Sequence, residues 1–243
     1  MTGAHATPNV PAMSTTSKIR EDMNVLGAEI PPIAHRLADV ARRVTLAGFR
    51  DPDLSMDNKA RTGFDPVTEA DRACERAMRD ILDDIRPHDG ILGEEFGPKP
   101  SRSGLTWVLD PIDGTRAYMA GAPTWGVLIA LRDATRPIYG IIDQPHTAER
   151  FEGGLGRACL TGPRGTQALR SRPGRPLSEA ILFSTFPEVG SAEARAAFER
   201  VARQVRLTRF GMDCYAYGLL ALGQIDLVIE AGLQAYDILA PIA

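Results

Sequence analysis

The stretch WVLDPIDGT, residues 107–115, decides how this 243-residue chain is read. An apolar run, Trp107-Val108-Leu109, reads as a strand, and it delivers Asp110 and Asp113 into a turn that holds Pro111 and Gly114. Two carboxylates so close, with no cation between them, concentrate negative charge that a bound divalent ion would relieve. Hard oxygen donors suit Mg2+ or Mn2+, which are held by a few carboxylates, water and substrate phosphate. Gly114 and Thr115 then open a short helix through Arg116-Ala117-Tyr118, whose first amides are free to receive an anion. An Asp-rich turn that merely caps a helix is the competing reading of the same residues.

Working upstream, Gly93-Glu94-Glu95-Phe96-Gly97 follows the short run Ile91-Leu92, so a second strand end offers carboxylates near the first; a solvated acidic loop is its plain alternative. Thr68 and Asp71 form a variant capping box, after which Ala70, Cys74, Ala77, Met78, Ile81 and Ile85 share one helical face. Asp71 then has a second reading as an ordinary helix-start charge. Ile33, Leu37, Val40, Ala41 and Val44 recur at helical spacing, which predicts a helix from Pro32 to Gly48, with Pro31-Pro32 breaking or beginning it. Residues 1–21, rich in Ala, Pro, Ser and Thr, read as a disordered leader, and 22–243 as one domain.

Downstream, short apolar runs between turns predict strands at 106–110, 125–132, 138–143, 149–153 and 157–160. A Gly-, Arg- and Pro-rich loop, 161–176, carries Arg164, Arg170, Arg172 and Arg175 and reads as a solvated basic loop. A strand at 180–184, helices near 192–205 and 214–222, and a strand at 226–230 complete the order. Asp237 reads as an N-cap before Ile238-Leu239. Helices first, a strand-rich middle and then alternating elements predict layered sheets and helices.

Composition narrows the function classes. A net charge of −3 and 44% hydrophobic residues describe a globular chain without a global field for nucleic acid. No stretch approaches the roughly 18 apolar residues of a membrane span, and the first residues lack a signal-peptide core, so a cytoplasmic location is expected. Cys74, Cys159 and Cys214 form no CxxC pair and read as small buried hydrophobes. His5, His35, His88 and His146 show no metal-ligand spacing.

Four ordered motifs, FDPVTEAD (64–71), GEEFG (93–97), WVLDPIDGT (107–115) and YDILAPIA (236–243), together resemble the inositol monophosphatase-like family of metal-dependent, lithium-sensitive phosphatases. The resemblance covers residues 22–243 and implies an α/β fold layered α-β-α-β-α, often as a homodimer. It implies that Glu94, Asp110 and the Ile112 carbonyl bind a first Mg2+, and that Asp110, Asp113 and Asp237 bind a second. Two or three Mg2+ per site are expected, with Mn2+ as the alternative. Thr115 and Asp71 are implied to orient and deprotonate the attacking water, and the amides of Gly114 and Thr115 to receive phosphate. Lys59 lies near a lysine of the family pattern and reads as a loop lysine.

Gly114-Thr115-Arg116-Ala117-Tyr118, Pro123-Thr124-Trp125-Gly126, Asp213-Cys214-Tyr215 and Tyr236-Asp237 resemble the histidinol-phosphatase branch most. The implied reaction is hydrolysis of a small phosphate monoester, L-histidinol phosphate first and inositol or other sugar and nucleotide phosphates as the alternative; a silent binding protein of the same fold is the rival class. Histidinol phosphate carries an ammonium and an imidazole, so Asp213 and Glu230, with Arg116, are the expected substrate-facing residues; a helix start and a strand end are the plain alternatives for the two acids. Relatives continue past the YD motif with an apolar strand, whereas this chain stops at Ala243. So short a final helix is marginal in isolation, which predicts a loosely held Asp237, weak Mg2+ binding and an unpaired sheet edge.

Overall fold

The computed structural model describes residues 15–52, 56–58 and 66–243. Residues 1–14 of the expected leader, Lys59, and Phe64-Asp65 of the first motif lie outside the described residues. The first helix, α1 (Thr15–Gly48), starts inside the stretch expected to be a leader and runs through Pro31 and Pro32 instead of beginning there. Two prolines remove two ladder donors, a cost of about 3 kcal/mol or more each in an isolated helix. Burial on both sides of them offsets it: Ile30, Ala34, Leu37, Ala38 and Ala41 are all in the core.

A hairpin, β1 (Met56–Asn58) and β2 (Pro66–Thr68), leads into α2 (Glu69–Ile85). The expected capping box is present, with Thr68 as N-cap and Asp71 as its reciprocal partner. Next come β3 (Gly90–Gly93), β4 (Thr106–Asp113), the short α3 (Thr115–Met119), β5 (Gly126–Arg132), β6 (Pro137–Gln144), β7 (Glu149–Gly154), β8 (Arg157–Gly162) and β9 (Gly165–Ala168). These seven strands form one sheet in the order β3 to β9, with β3 parallel to β4 and every other neighbour antiparallel.

The chain then builds a second, parallel sheet, β11-β10-β12, from β10 (Ile181–Ser184), β11 (Leu207–Phe210) and β12 (Leu227–Val228). Helix α4 (Ala192–Ala202) separates the first two of these strands, α5 (Tyr215–Ala221) the last two, and α6 (Ala235–Ile242) ends the chain.

Burial alternates along the large sheet. Trp107, Leu109, Val127, Ile129 and Leu131 face α1 and α2, while Val108, Leu128, Ala130 and Ile142 face α5 and α6. Leu182 of β10 packs with Phe198 of α4 on the far side of the small sheet. The layers are α1/α2, the seven-stranded sheet, α5/α6, the three-stranded sheet and α4, the five-layer order expected. Among the described residues no helix is long and apolar enough to cross a membrane.

Two further segments differ from the sequence reading. Residues 165–168 of the basic loop pair with β8, the chain reversing at Pro163-Arg164 with Gly165 at φ +95°. Arg172 and Arg175 of that loop both pair with Asp226, at 3.5 and 3.2 Å, Arg172 half-buried and Arg175 still exposed. The second is β11, which has no alternation to mark it, since three of its four residues are exposed. Cys74, Cys159 and Cys214 are free; Cys74 and Cys214 are buried as expected, and Cys159 is only half-buried, its thiol donating to Glu152.

Candidate active site

A regular strand sends residues three apart to opposite faces, so Asp110 and Asp113 ought to diverge. They do not, because β4 bulges between them: Asp110 pairs with Leu128 and Asp113 with Gly126, leaving one extra residue on the β4 side. Pro111, with no ladder donor to lose, sits inside the bulge. Both carboxylates therefore turn toward α6, and one oxygen each of Asp110, Asp113 and Asp237 lies within 4.8 Å of the others.

Each acid is fixed by its own neighbourhood. Asp113 Oδ2 accepts the Cys214 amide at 2.5 Å, and Asp237 Oδ2 accepts the Gln234 amide at 2.6 Å. Asp237 is the third residue of α6 and completes a capping box with Gln234; it is not the N-cap. With α6 packed on β4, β5 and β6, the helix is held by tertiary contact and Asp237 is not the loose group expected. Asp71 Oδ2 accepts from the Thr68 amide (2.8 Å) and hydroxyl (2.5 Å).

Glu94 follows β3, near enough to Asp110 for its charge to act on that carboxyl. Asp110 is 2% exposed, and its Oδ1 is buried without a hydrogen-bond partner among the described residues. Burial, then the negative charges of Glu94, Asp113 and Asp237, hold its carboxyl well above the usual range. Burial and the charge of Asp213 push Asp113 up to about 8, against the opposing Cys214 hydrogen bond. Asp237 is raised too, by burial first. These residues fit a divalent cation: oxygen donors only, mutually repelling, with one buried carboxylate oxygen of Asp110 lacking a hydrogen-bond partner among the described residues.

Gly114 adopts φ +87° as the residue before α3, and a Cβ there would lie 2.7 Å from Asp213 Cγ. That conformation turns the chain so that α3 starts beside the acids. The Thr115 hydroxyl donates to the Ile112 carbonyl at 3.2 Å, while Asp71 accepts from Thr68. Beyond the acids opens a cleft of about 450 Å³, lined by Glu94, Asp113, Arg116, Asp213, Glu230 and Asp237 among others. Asp213, at φ 47°, accepts from the Thr124 hydroxyl (3.1 Å), and Glu230 accepts from the Thr185 amide (2.7 Å) and hydroxyl (2.9 Å). Burial raises both carboxyls. Arg116 lies over the Phe186 ring at 4.8 Å, on the same wall.

Sequence reasoning missed Glu75, Arg79, Thr185 and Phe186, and named Thr124 only as part of a motif. Glu75 alone carried a signal, standing one helical turn after Asp71 on the face otherwise made of Cys74 and Met78.

A five-layer α-β-α-β-α fold with clustered acids where the strands of its large sheet end defines a class of metal-site proteins, and sequence comparison places the chain within it. The profile of the inositol monophosphatase family matches residues 28–243, and the chain belongs to that family. It is 42% identical over 211 residues to a chloroplastic bifunctional phosphatase of Arabidopsis thaliana, covering 86% of this chain but 59% of that protein. It is 34% identical over 211 residues to the histidinol-phosphatase of Mycobacterium tuberculosis, covering 86% of this chain and 80% of that one. The inositol monophosphatase structure from Zymomonas mobilis superposes with a TM-score of 0.75 at 41% identity, over 93% of this chain and 82% of that one.

Proposed function

We propose that this protein is a Mg2+-dependent phosphomonoesterase whose substrate is L-histidinol phosphate. The observation that carries the reading is the pairing of two acid groups in one cleft: Glu94, Asp110, Asp113 and Asp237 at its floor, and Asp213 with Glu230 on its wall. The first group, with the Ile112 carbonyl, holds two or three Mg2+, with Mn2+ able to substitute. When bound, the metal supplies Lewis-acid stabilisation of the phosphoryl oxygens and of the leaving oxygen. The amides of Gly114 and Thr115 receive the phosphate at the start of α3. Asp71, oriented by Thr68, accepts a proton from the attacking water, and the Thr115 hydroxyl helps to orient it. Asp213 and Glu230 meet the ammonium and imidazole of the leaving alcohol, and Arg116 on Phe186 borders their site.

Similarity to histidinol-phosphatases from three bacteria, at 30–35% identity, supports this substrate. The second reading is an inositol phosphate, favoured by 35% identity over 185 residues to the inositol-1-monophosphatase of Mycobacterium bovis. Lithium inhibition, a homodimer, a cytoplasmic location and one domain spanning residues 22–243 belong to the same proposal. The test is phosphate release with Mg2+ from histidinol phosphate, inositol 1-phosphate and p-nitrophenyl phosphate. A clear kcat/KM preference for the first is expected; preference for the inositol ester selects the second reading, and no metal-dependent release from any ester refutes both.

A further inference from the structure

Glu75 is a carboxylate in the core of α2 with no exposed surface. Burying such a group costs several kcal/mol unless charge and hydrogen bonds compensate it. Here the compensation comes from the metal-motif loop. Glu75 accepts the amides of Glu95 (2.7 Å) and Phe96 (3.3 Å), and Arg79 Nε at 2.7 Å. Arg79 in turn donates to the carbonyls of Phe96 (3.1 Å) and Gly97 (3.0 Å). One ion pair on α2 thus grips the backbone directly after Glu94 from both its donor and its acceptor sides. The fit is tight at Gly93, where a Cβ would overlap the Glu75 carboxylate. Phe96 closes the arrangement, its ring 5.4 Å from the Arg76 guanidinium and 5.8 Å from that of Arg79.

Asp71, Glu75 and Arg79 stand at successive turns on one face of α2. The helix that presents Asp71 therefore also anchors the loop that presents Glu94. We propose that the Glu75–Arg79 pair is a positioning device that holds Glu94 against Asp110 and so sets the affinity of the site for a divalent cation. This rests on the reading of Glu94 as a metal ligand.

Direct Mn2+ titration of the metal-free protein, without substrate, tests it. Partners that orient a ligand typically change metal affinity 10- to 100-fold, so Glu75→Gln should weaken Mn2+ binding about tenfold and Arg79→Gln several-fold. Glu94→Gln should weaken binding as well, and adding Glu75→Gln to it should change affinity less than about twofold, because the positioned group is already gone. Wild-type Mn2+ affinity in folded Glu75→Gln, or losses that multiply in the double variant, overturns the proposal. If Glu75→Gln does not fold, Arg79→Gln decides, since that side chain is 16% exposed and its loss spares the core. If Glu94→Gln itself binds Mn2+ as wild type, the ligand reading fails and takes the proposal with it; if only the Glu94 variant weakens, the proposal fails and the ligand reading stands.

Discussion

Without metal, the protein should lose stability as pH rises across the range where a carboxylate normally adds none. Asp113 titrates near 8 in the folded state against 3.8 for the free carboxyl, raised by burial, then by the charge of Asp213 and, more weakly, Asp237. Between those values the folded chain keeps a proton that the unfolded chain has released. Its contribution is complete below the unfolded value and is lost as pH climbs through the folded one. The slope is about −1.4 kcal/mol per pH unit for each proton kept. Asp110 and Asp237 are raised as well, and coupling makes the measured slope a property of the group. Urea denaturation in EDTA from about pH 5 to 8 should show that slope. Asp113→Asn keeps an acceptor for the Cys214 amide; it should flatten the slope by about one proton and be the more stable protein at the alkaline end. Saturating Mg2+ should abolish the decline, since the cation replaces the protons. Stability that is flat or rising in the metal-free wild type, or a slope unchanged in Asp113→Asn, would show that the cluster is ionised and that burial is not raising it.

Asp110→Asn removes the carboxylate central to the cluster; Mg2+-dependent phosphate release should fall by about 100-fold or more while metal-free stability stays level or rises, and a folded variant with near-normal turnover refutes the metal assignment. Asp213→Asn and Glu230→Gln should each raise KM for histidinol phosphate about tenfold and leave p-nitrophenyl phosphate within about twofold; equal losses on both esters point to a structural role. Gly114→Ala puts a Cβ at φ +87° and against Asp213, so denaturation should show a loss of about 1–3 kcal/mol, and an unchanged midpoint contradicts the close approach.

The chemistry was legible where residue type and local pattern coincide. Thr68 with Asp71, and Asp110 with Asp113 and Gly114, are readable because capping boxes and Gly turns are local. The large-sheet strands were legible because buried strands in this fold are apolar runs, as in Gly126–Arg132. What escaped depends on contacts distant in sequence. The continuity of α1 through Pro31-Pro32 is decided by the sheet it packs on, and β11 is an exposed edge with no pattern of its own. Glu75 has a place on the inward face of its helix that the pattern shows, but its partner is a loop 20 residues later that the pattern does not show. The bulge that brings Asp110 and Asp113 to one side is visible only in their pairing with β5.

The acids share one further property that connects local structure to chemistry. In Asp71, Asp113 and Asp237, Oδ2 is tied to a backbone amide: that of Thr68, Cys214 and Gln234 respectively. Two of these bonds close capping boxes and the third leads into α5. A carboxylate tethered by one oxygen can no longer rotate away from its neighbours, so the repulsion among them is held in place by helix starts that form for their own reasons. Those bonds cost the site nothing at the moment a cation arrives, because the donors are already oriented, and preorganised ligands lose less freedom on binding. Asp110 differs: it hangs from a strand and is almost fully buried, and among the described residues its Oδ1 has no hydrogen-bond partner. Burial and the charges of Glu94, Asp113 and Asp237 all oppose its ionisation, and a bound cation would relieve both.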